Sequence, residues 1–93
     1  MSKKICLHAN FSGTVQGVGF RFTVRRIAEQ YEVTGFVKNL SDVCVEVVAE
    51  GDREVVESFT DAIHNGTLNG YIRKVKKEWQ PATEEYKEFE VKF

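Results

Sequence analysis

The sequence predicts an α+β fold in which two helices cover one face of an antiparallel sheet. Two segments repeat apolar residues at helical spacing, and five others alternate apolar and polar residues as half-buried strands do. Their order, β-α-β-β-α-β with one further strand, is typical of the ferredoxin-like split βαβ sandwich. The chain has 93 residues, one proline and no repeat, so we expect a single domain over residues 1–93.

The first half of the chain predicts a strand, a glycine loop, a helix and a hairpin. Residues 4–12 alternate as a strand, and the loop 13–19 follows. The amphipathic helix after this loop carries its apolar face on Phe20, Val24, Ile27, Ala28 and Tyr31. Residues 35–40 and 43–51 predict two strands that are joined by the turn residues Ser41 and Asp42. Val48 interrupts the polar side of the second of these, which indicates a strand inside the sheet.

The second half predicts a helix between two turn signals and then two strands. Asp52 is the expected N-cap, and Asn65 with Gly66 is expected to end the helix in the left-handed conformation. The apolar face of this helix consists of Val55, Val56, Phe59, Ala62 and Ile63. Strands are expected over residues 71–79, with Val75 and Trp79 inward, and over residues 86–93, with Phe89, Val91 and Phe93 on one face.

The right-handed crossover rule makes the first two strands parallel, with the third strand between them in the opposite direction. Their C-terminal ends then lie at the same edge of the sheet. Arg21 follows the first of these ends and Asn39 lies near the second, so we expect the two side chains to be close together.

The loop before the first helix, "GTVQGVGFR" over residues 13–21, is the expected anion site. Glycines let backbone N–H groups turn toward an anion, and a helix N-terminus favours negative charge. The Arg21 guanidinium fits two oxygens of a phosphate or carboxylate, and phosphate is the expected ligand. Spacing alone also allows a simple glycine-rich connection with a solvated Arg21, and an Asn39 that only stabilises the Ser41–Asp42 turn.

Composition excludes several classes of function. The net charge of −1 and a pI near 6.1 argue against a nucleic-acid binder. No apolar segment approaches the ~20 residues of a membrane span, and the N-terminus does not resemble a signal peptide, so we expect a cytoplasmic protein without a membrane partner. The two cysteines, Cys6 and Cys44, and the two histidines, His8 and His64, have no metal-site spacing.

The loop motif, followed by "GFVKN", "VEVVAEG", "NGTLNGYIRKV" and "FEVKF", resembles the acylphosphatase family over essentially the whole chain. The resemblance implies a small ferredoxin-like enzyme that hydrolyses the carboxyl–phosphate bond of acyl phosphates, with a carboxylate and inorganic phosphate as products. It implies no metal and no organic cofactor. It also implies that Arg21 is the phosphate-binding catalytic residue and that Asn39 orients the attacking water. The expected phosphate-binding residues are Val15, Gln16, Gly17, Val18, Gly19, Phe20 and Arg21.

Three residues depart from the family pattern. Glu32 and Val43 stand where the family usually has glycine, and Thr67 stands where proline is usual. Glutamate and valine avoid positive φ, so we expect altered turn geometry or strain at Glu32 and Val43.

Two alternatives to an enzyme are considered. An RNA-recognition-like binding module needs aromatic residues on the third strand, and "VCVEVVAEG" has none. An accessory domain that handles carbamoyl phosphate belongs to a longer chain, whereas this sequence ends at Phe93. A monomeric enzyme acting on small acyl phosphates is therefore the expectation.

Overall fold

The computed structural model describes residues 4–93, so the first three residues of the expected domain lie outside it. The elements are β1 (Lys4–Gly13), α1 (Phe20–Ala28), β2 (Thr34–Asn39), β3 (Val45–Asp52), α2 (Arg53–Asn65), a 3₁₀ turn (Asn69–Tyr71), β4 (Ile72–Pro81) and β5 (Phe89–Lys92). The predicted order of helices and strands is confirmed. The 3₁₀ turn was not predicted. Within the described residues, no helix is long and apolar enough to cross a membrane.

The five strands form one sheet in the order β4-β1-β3-β2-β5. β3 pairs antiparallel with both β1 and β2, which confirms that β1 and β2 are parallel and that β3 lies inside the sheet. β5 pairs parallel with β2, so the sheet is mixed rather than entirely antiparallel. The reason is the connection 82–88, which carries the chain from β4 at one edge of the sheet to β5 at the other.

Both helices pack on the same face of the sheet, as predicted. Their buried residues Phe20, Val24, Val56 and Phe59 belong to one core that also contains the inward side chains of β1, β2 and β3. The rings of Phe11 and Phe20 lie 5.5 Å apart between centroids, which fixes the start of α1 against β1.

α2 has the predicted bounds but does not end as predicted. Asp52 occupies the N-cap position without a side-chain capping hydrogen bond. Gly66 has φ −92° and is extended, so the prediction of a left-handed end is wrong. The side-chain amide of Asn69 donates to the carbonyl oxygen of His64 at 2.8 Å, and this bond occupies a helix-end carbonyl without a left-handed residue.

The β2–β3 hairpin is strained at Val43. This residue has φ +62° and is exposed, so it lies in the turn rather than in the predicted strand, which begins at Val45. The expected strain is confirmed at Val43 because a β-branched residue avoids positive φ. Glu32 does not have positive φ, so the backbone strain expected there is absent, and altered turn geometry at Glu32 stays a prediction. The predicted strand 86–93 is also shorter than expected, and Phe93 is exposed.

The two cysteines are both free thiols. Cys6 lies opposite Glu50 in the β1–β3 register and is buried, whereas Cys44 is partly buried at the hairpin. Burial and the neighbouring Glu50 carboxylate raise the pKa of the Cys6 thiol to about 12.

Candidate active site

The loop between β1 and α1 takes its shape from two glycines. Gly17 has φ +78° and Gly19 has φ +74°, and a Cβ at either position would meet no other atom within 4 Å. Glycine is therefore favoured by backbone conformation and not by lack of space. Gly19 is the N-cap of α1, and its carbonyl accepts the first helical bond from Thr23 at 3.0 Å. The N–H groups before Thr23 have no partner within the helix and are open to an anion.

Arg21, in the first turn of α1, is held from two sides. Its guanidinium Nη1 donates to the carbonyl oxygen of Lys92 at 2.9 Å. Its Cζ lies 4.6 Å from the centroid of the Phe93 ring, in cation–π geometry. These contacts with the end of β5 use one of the five N–H donors and leave the others for a ligand.

Asn39 is the last residue of β2. Its side-chain oxygen Oδ1 is buried and has no hydrogen-bond partner. Most buried side-chain oxygens in proteins are hydrogen-bonded, so the unpaired Oδ1 is an acceptor that the fold itself does not satisfy.

A cavity of about 100 Å³ brings the loop, Arg21 and Asn39 together. It is lined by Val15, Gly17, Gly19, Phe20, Arg21, Phe22 and Asn39. The predicted proximity of Arg21 and Asn39 is therefore confirmed. Among the residues that line it, none is acidic and none is histidine, so the Arg21 guanidinium and the positive end of the α1 dipole are the charges beside it.

Two of the predicted phosphate-binding residues do not line this cavity with their side chains. Gln16 donates instead to the carbonyl oxygens of Leu40, at 2.8 Å, and Cys44, at 2.9 Å, in the β2–β3 hairpin. Val18 packs against the core. Conversely, Phe22 lines the cavity although the sequence analysis did not predict it as a site residue. The sequence does contain a signal for it, because Phe22 is an aromatic residue that lies outside the buried face of α1.

A larger cavity of about 390 Å³ lies at the opposite ends of β2 and β3. Glu32, Glu50, Asp52 and Glu84 contribute to its lining, with Lys4 as its one basic residue. Its carboxylates repel an anionic substrate, so this larger cavity does not suit a phosphate ligand.

Comparisons with known proteins agree on one family. The acylphosphatase family model matches residues 7–91, a range that includes the loop, Arg21 and Asn39. An acylphosphatase of Coxiella burnetii is 41% identical over 87 residues, which cover 94% of this chain and 90% of the relative. The crystal structure of acylphosphatase from Bacillus subtilis has a TM-score of 0.87 at 30% identity and covers 96% of this chain and 99% of that one.

A larger protein contains the same fold. The crystal structure of full-length HypF in the phosphate- and nucleotide-bound form has a TM-score of 0.89 at 29% identity. The match covers 100% of this chain and 12% of HypF.

Proposed function

This chain belongs to the acylphosphatase family, and on that premise we propose that it hydrolyses small acyl phosphates in the cavity between the loop 15–20, Arg21 and Asn39. The products are a carboxylate and inorganic phosphate. The observation that carries the proposal is the convergence around one small cavity of Arg21, the N-terminus of α1 and Asn39, whose amide oxygen has no hydrogen-bond partner.

The phosphoryl group binds to the loop and to Arg21. The open N–H groups at the start of α1 donate to its oxygens, and glycine at positions 17 and 19 supplies the positive φ that this loop conformation requires. The Arg21 donors that Lys92 does not use form a planar fork that fits two phosphate oxygens. The Phe93 ring keeps this fork in place, so little side-chain entropy is lost on binding.

Asn39 holds the attacking water. Its Oδ1 is an acceptor, so its partner must donate a hydrogen bond. A fully ionised phosphate has no hydrogen to donate, whereas a water molecule has two. This chemistry favours water over phosphate at Asn39, at the side of the cavity formed by β2.

The reaction needs no side chain that accepts a proton. The water oxygen forms a bond to phosphorus while the bond from phosphorus to the acyl oxygen breaks, and its electron pair leaves on the carboxylate. The proton of the water passes to a phosphate oxygen. A carboxylate is a good leaving group, so positioning and stabilisation of charge by Arg21 and the loop supply the catalysis.

The enzyme acts, in this proposal, as a cytoplasmic monomer without cofactor, nucleic acid or membrane. The edges of the sheet support a monomer, because β4 carries Lys74, Lys76 and Lys77 and β5 is only four residues long. Free thiols are typical of a reducing compartment. β3 carries no aromatic residue on which a base could stack. An accessory domain of a larger enzyme is not favoured, because the match extends over 90% of a relative named acylphosphatase.

The experiment measures phosphate release from acetyl phosphate, with and without EDTA. We expect turnover by the wild type in both conditions and a loss of at least about 100-fold in Arg21→Ala. Arg21→Lys should recover little, because an ammonium cannot replace the planar fork. Arg26→Ala is the matched control, since Arg26 is exposed on α1 and lines neither this cavity nor the neighbouring cleft.

Two results would contradict this mechanism. Near-normal turnover in Arg21→Lys would exclude the guanidinium fork. Loss of turnover in EDTA that a divalent ion restores would exclude a metal-free reaction.

A further inference from the structure

Two exposed aromatic rings stand at the mouth of the phosphate cavity. Phe22 is 56% exposed and Phe93 is 85% exposed, and their ring centroids lie 6.2 Å apart. Phe22 is part of the lining of the cavity, and Phe93 packs against Arg21. Large apolar side chains that remain exposed as a pair beside a polar site are typical of ligand-binding surfaces.

The cavity itself is too small for a whole substrate. Its volume of about 100 Å³ lies well below the range of about 300–1,000 Å³ in which small-molecule sites fall. This volume accommodates a phosphoryl group and its attacking water. The acyl group of any substrate bound there must therefore extend beyond the cavity and lie against its rim.

Phe22 connects this rim to a wider space. Phe22 also lines an open cleft of about 490 Å³, together with Arg25, Glu88, Phe89, Glu90 and Val91. This volume is within the range of small-molecule sites, about 300–1,000 Å³. An acyl group that leaves the phosphate cavity across Phe22 thus reaches a space that can hold an aromatic ring.

We propose that Phe22, assisted by Phe93, forms an acyl subsite that selects acyl phosphates with an aromatic or large apolar acyl group. The inference rests on the proposed function, because it takes the phosphoryl group to occupy the adjoining cavity. A bound ring covers apolar surface of Phe22 and Phe93, which favours binding. Tilted stacking between aromatic rings adds further favourable binding free energy. Acetyl phosphate, with one methyl group, covers almost none of this surface.

The first test compares benzoyl phosphate with acetyl phosphate, each corrected for its spontaneous hydrolysis. We expect the wild type to favour benzoyl phosphate in kcat/KM by about tenfold or more, and Phe22→Ala to lose most of that preference. Phe22→Leu should retain part of it. Tyr71→Ala, which removes an exposed aromatic side chain that lines neither cavity, should keep the full preference.

The second test does not depend on hydrolysis. Benzylphosphonate and methylphosphonate carry the same charged group, and calorimetry gives their dissociation constants with wild type and Phe22→Ala. We expect benzylphosphonate to bind about tenfold more tightly to the wild type and the difference to disappear in Phe22→Ala.

The outcomes separate the two proposals. Equal affinities for the two phosphonates, or a preference that survives in Phe22→Ala, would overturn the subsite even if acetyl phosphate is hydrolysed. A preference that requires Phe22, found together with no hydrolysis of either acyl phosphate, would support the subsite and overturn the proposed function.

Discussion

The side-chain amide of Gln16 donates a hydrogen bond to the carbonyl oxygen of Leu40 at 2.8 Å. Leu40 follows Asn39 directly, and a second bond from the same amide reaches Cys44 at 2.9 Å. The Leu40 N–H also donates to the Cys44 carbonyl at 2.8 Å and closes the hairpin. One side chain thus connects the loop before α1 to the backbone that positions Asn39.

Replacement of Gln16 should therefore change catalysis through Asn39 and not through phosphate binding. We expect Gln16→Ala to lower kcat about tenfold, with a smaller change in inhibition by inorganic phosphate. Gln16→Glu should be worse, because a carboxylate would face two carbonyl oxygens without a donor. Steady-state kinetics with phosphate as inhibitor measures both effects. Gln80→Ala on β4 is the matched control, and kinetics like those of the control would exclude a positioning role for Gln16.

Replacement of Asn39 distinguishes a role in positioning the attacking water from a role in binding phosphate. We expect Asn39→Ala to lower kcat by about 100-fold, because the water loses its acceptor, while inorganic phosphate still inhibits. Asn10→Ala, an exposed asparagine on β1, is the matched control. If phosphate no longer inhibited Asn39→Ala, the amide would belong to the phosphate contacts.

The proximity of Arg21 and Asn39 could be predicted from the sequence because it depends on the topology of the sheet. Periodicity gives the strands and helices, and the handedness of the crossover then makes β1 and β2 parallel. Residues that follow the C-terminal ends of two parallel strands lie at the same edge of the sheet. No side-chain conformation enters this argument.

The partners of these residues could not be predicted in the same way. The contacts of Arg21 with Lys92 and Phe93 depend on where β5 pairs, and four residues of alternating pattern do not indicate a neighbour or a direction. The bonds of Gln16 depend on a side chain that turns away from the loop. Such contacts join residues that are far apart in sequence, and local patterns contain no information about them.

Val43 provides a test of backbone strain. It has φ +62° and is exposed, so a side chain that avoids this conformation gains little from packing. We expect Val43→Gly to raise the free energy of unfolding by about 1 kcal/mol. The reason is that the free energy gained by relieving strain in the folded state exceeds the free-energy cost of the more flexible unfolded chain. Urea denaturation measures the change. Ser41→Gly, in the same turn and without positive φ, should instead be neutral or slightly destabilising, and an equal gain in both variants would exclude strain at Val43.

The connection 82–88 that sets the position of β5 is fastened by a buried carboxylate. Glu50 on β3 is only 4% exposed. It accepts hydrogen bonds at 2.8 Å from the backbone N–H and the hydroxyl of Thr83 and from the backbone N–H of Glu84. Burial alone would raise the pKa of Glu50, but these hydrogen bonds outweigh it and lower the pKa below its ordinary value.

The lowered pKa of Glu50 gives stability a defined dependence on pH. A carboxylate whose pKa is lower in the folded state stabilises the fold above its ordinary pKa of 4.5, and this contribution is lost as pH falls through the folded value. We expect Glu50→Gln to lower the free energy of unfolding by about 2 kcal/mol at neutral pH, because an amide cannot accept all three bonds. The difference from wild type should shrink toward pH 3, as both side chains become neutral.

Glu46→Gln on the same strand, whose carboxylate is partly exposed beside His8, should change stability by no more than about 0.5 kcal/mol. Urea denaturation at the two pH values decides the matter, and a difference that stays constant with pH would show that the charge of Glu50 does not hold the connection.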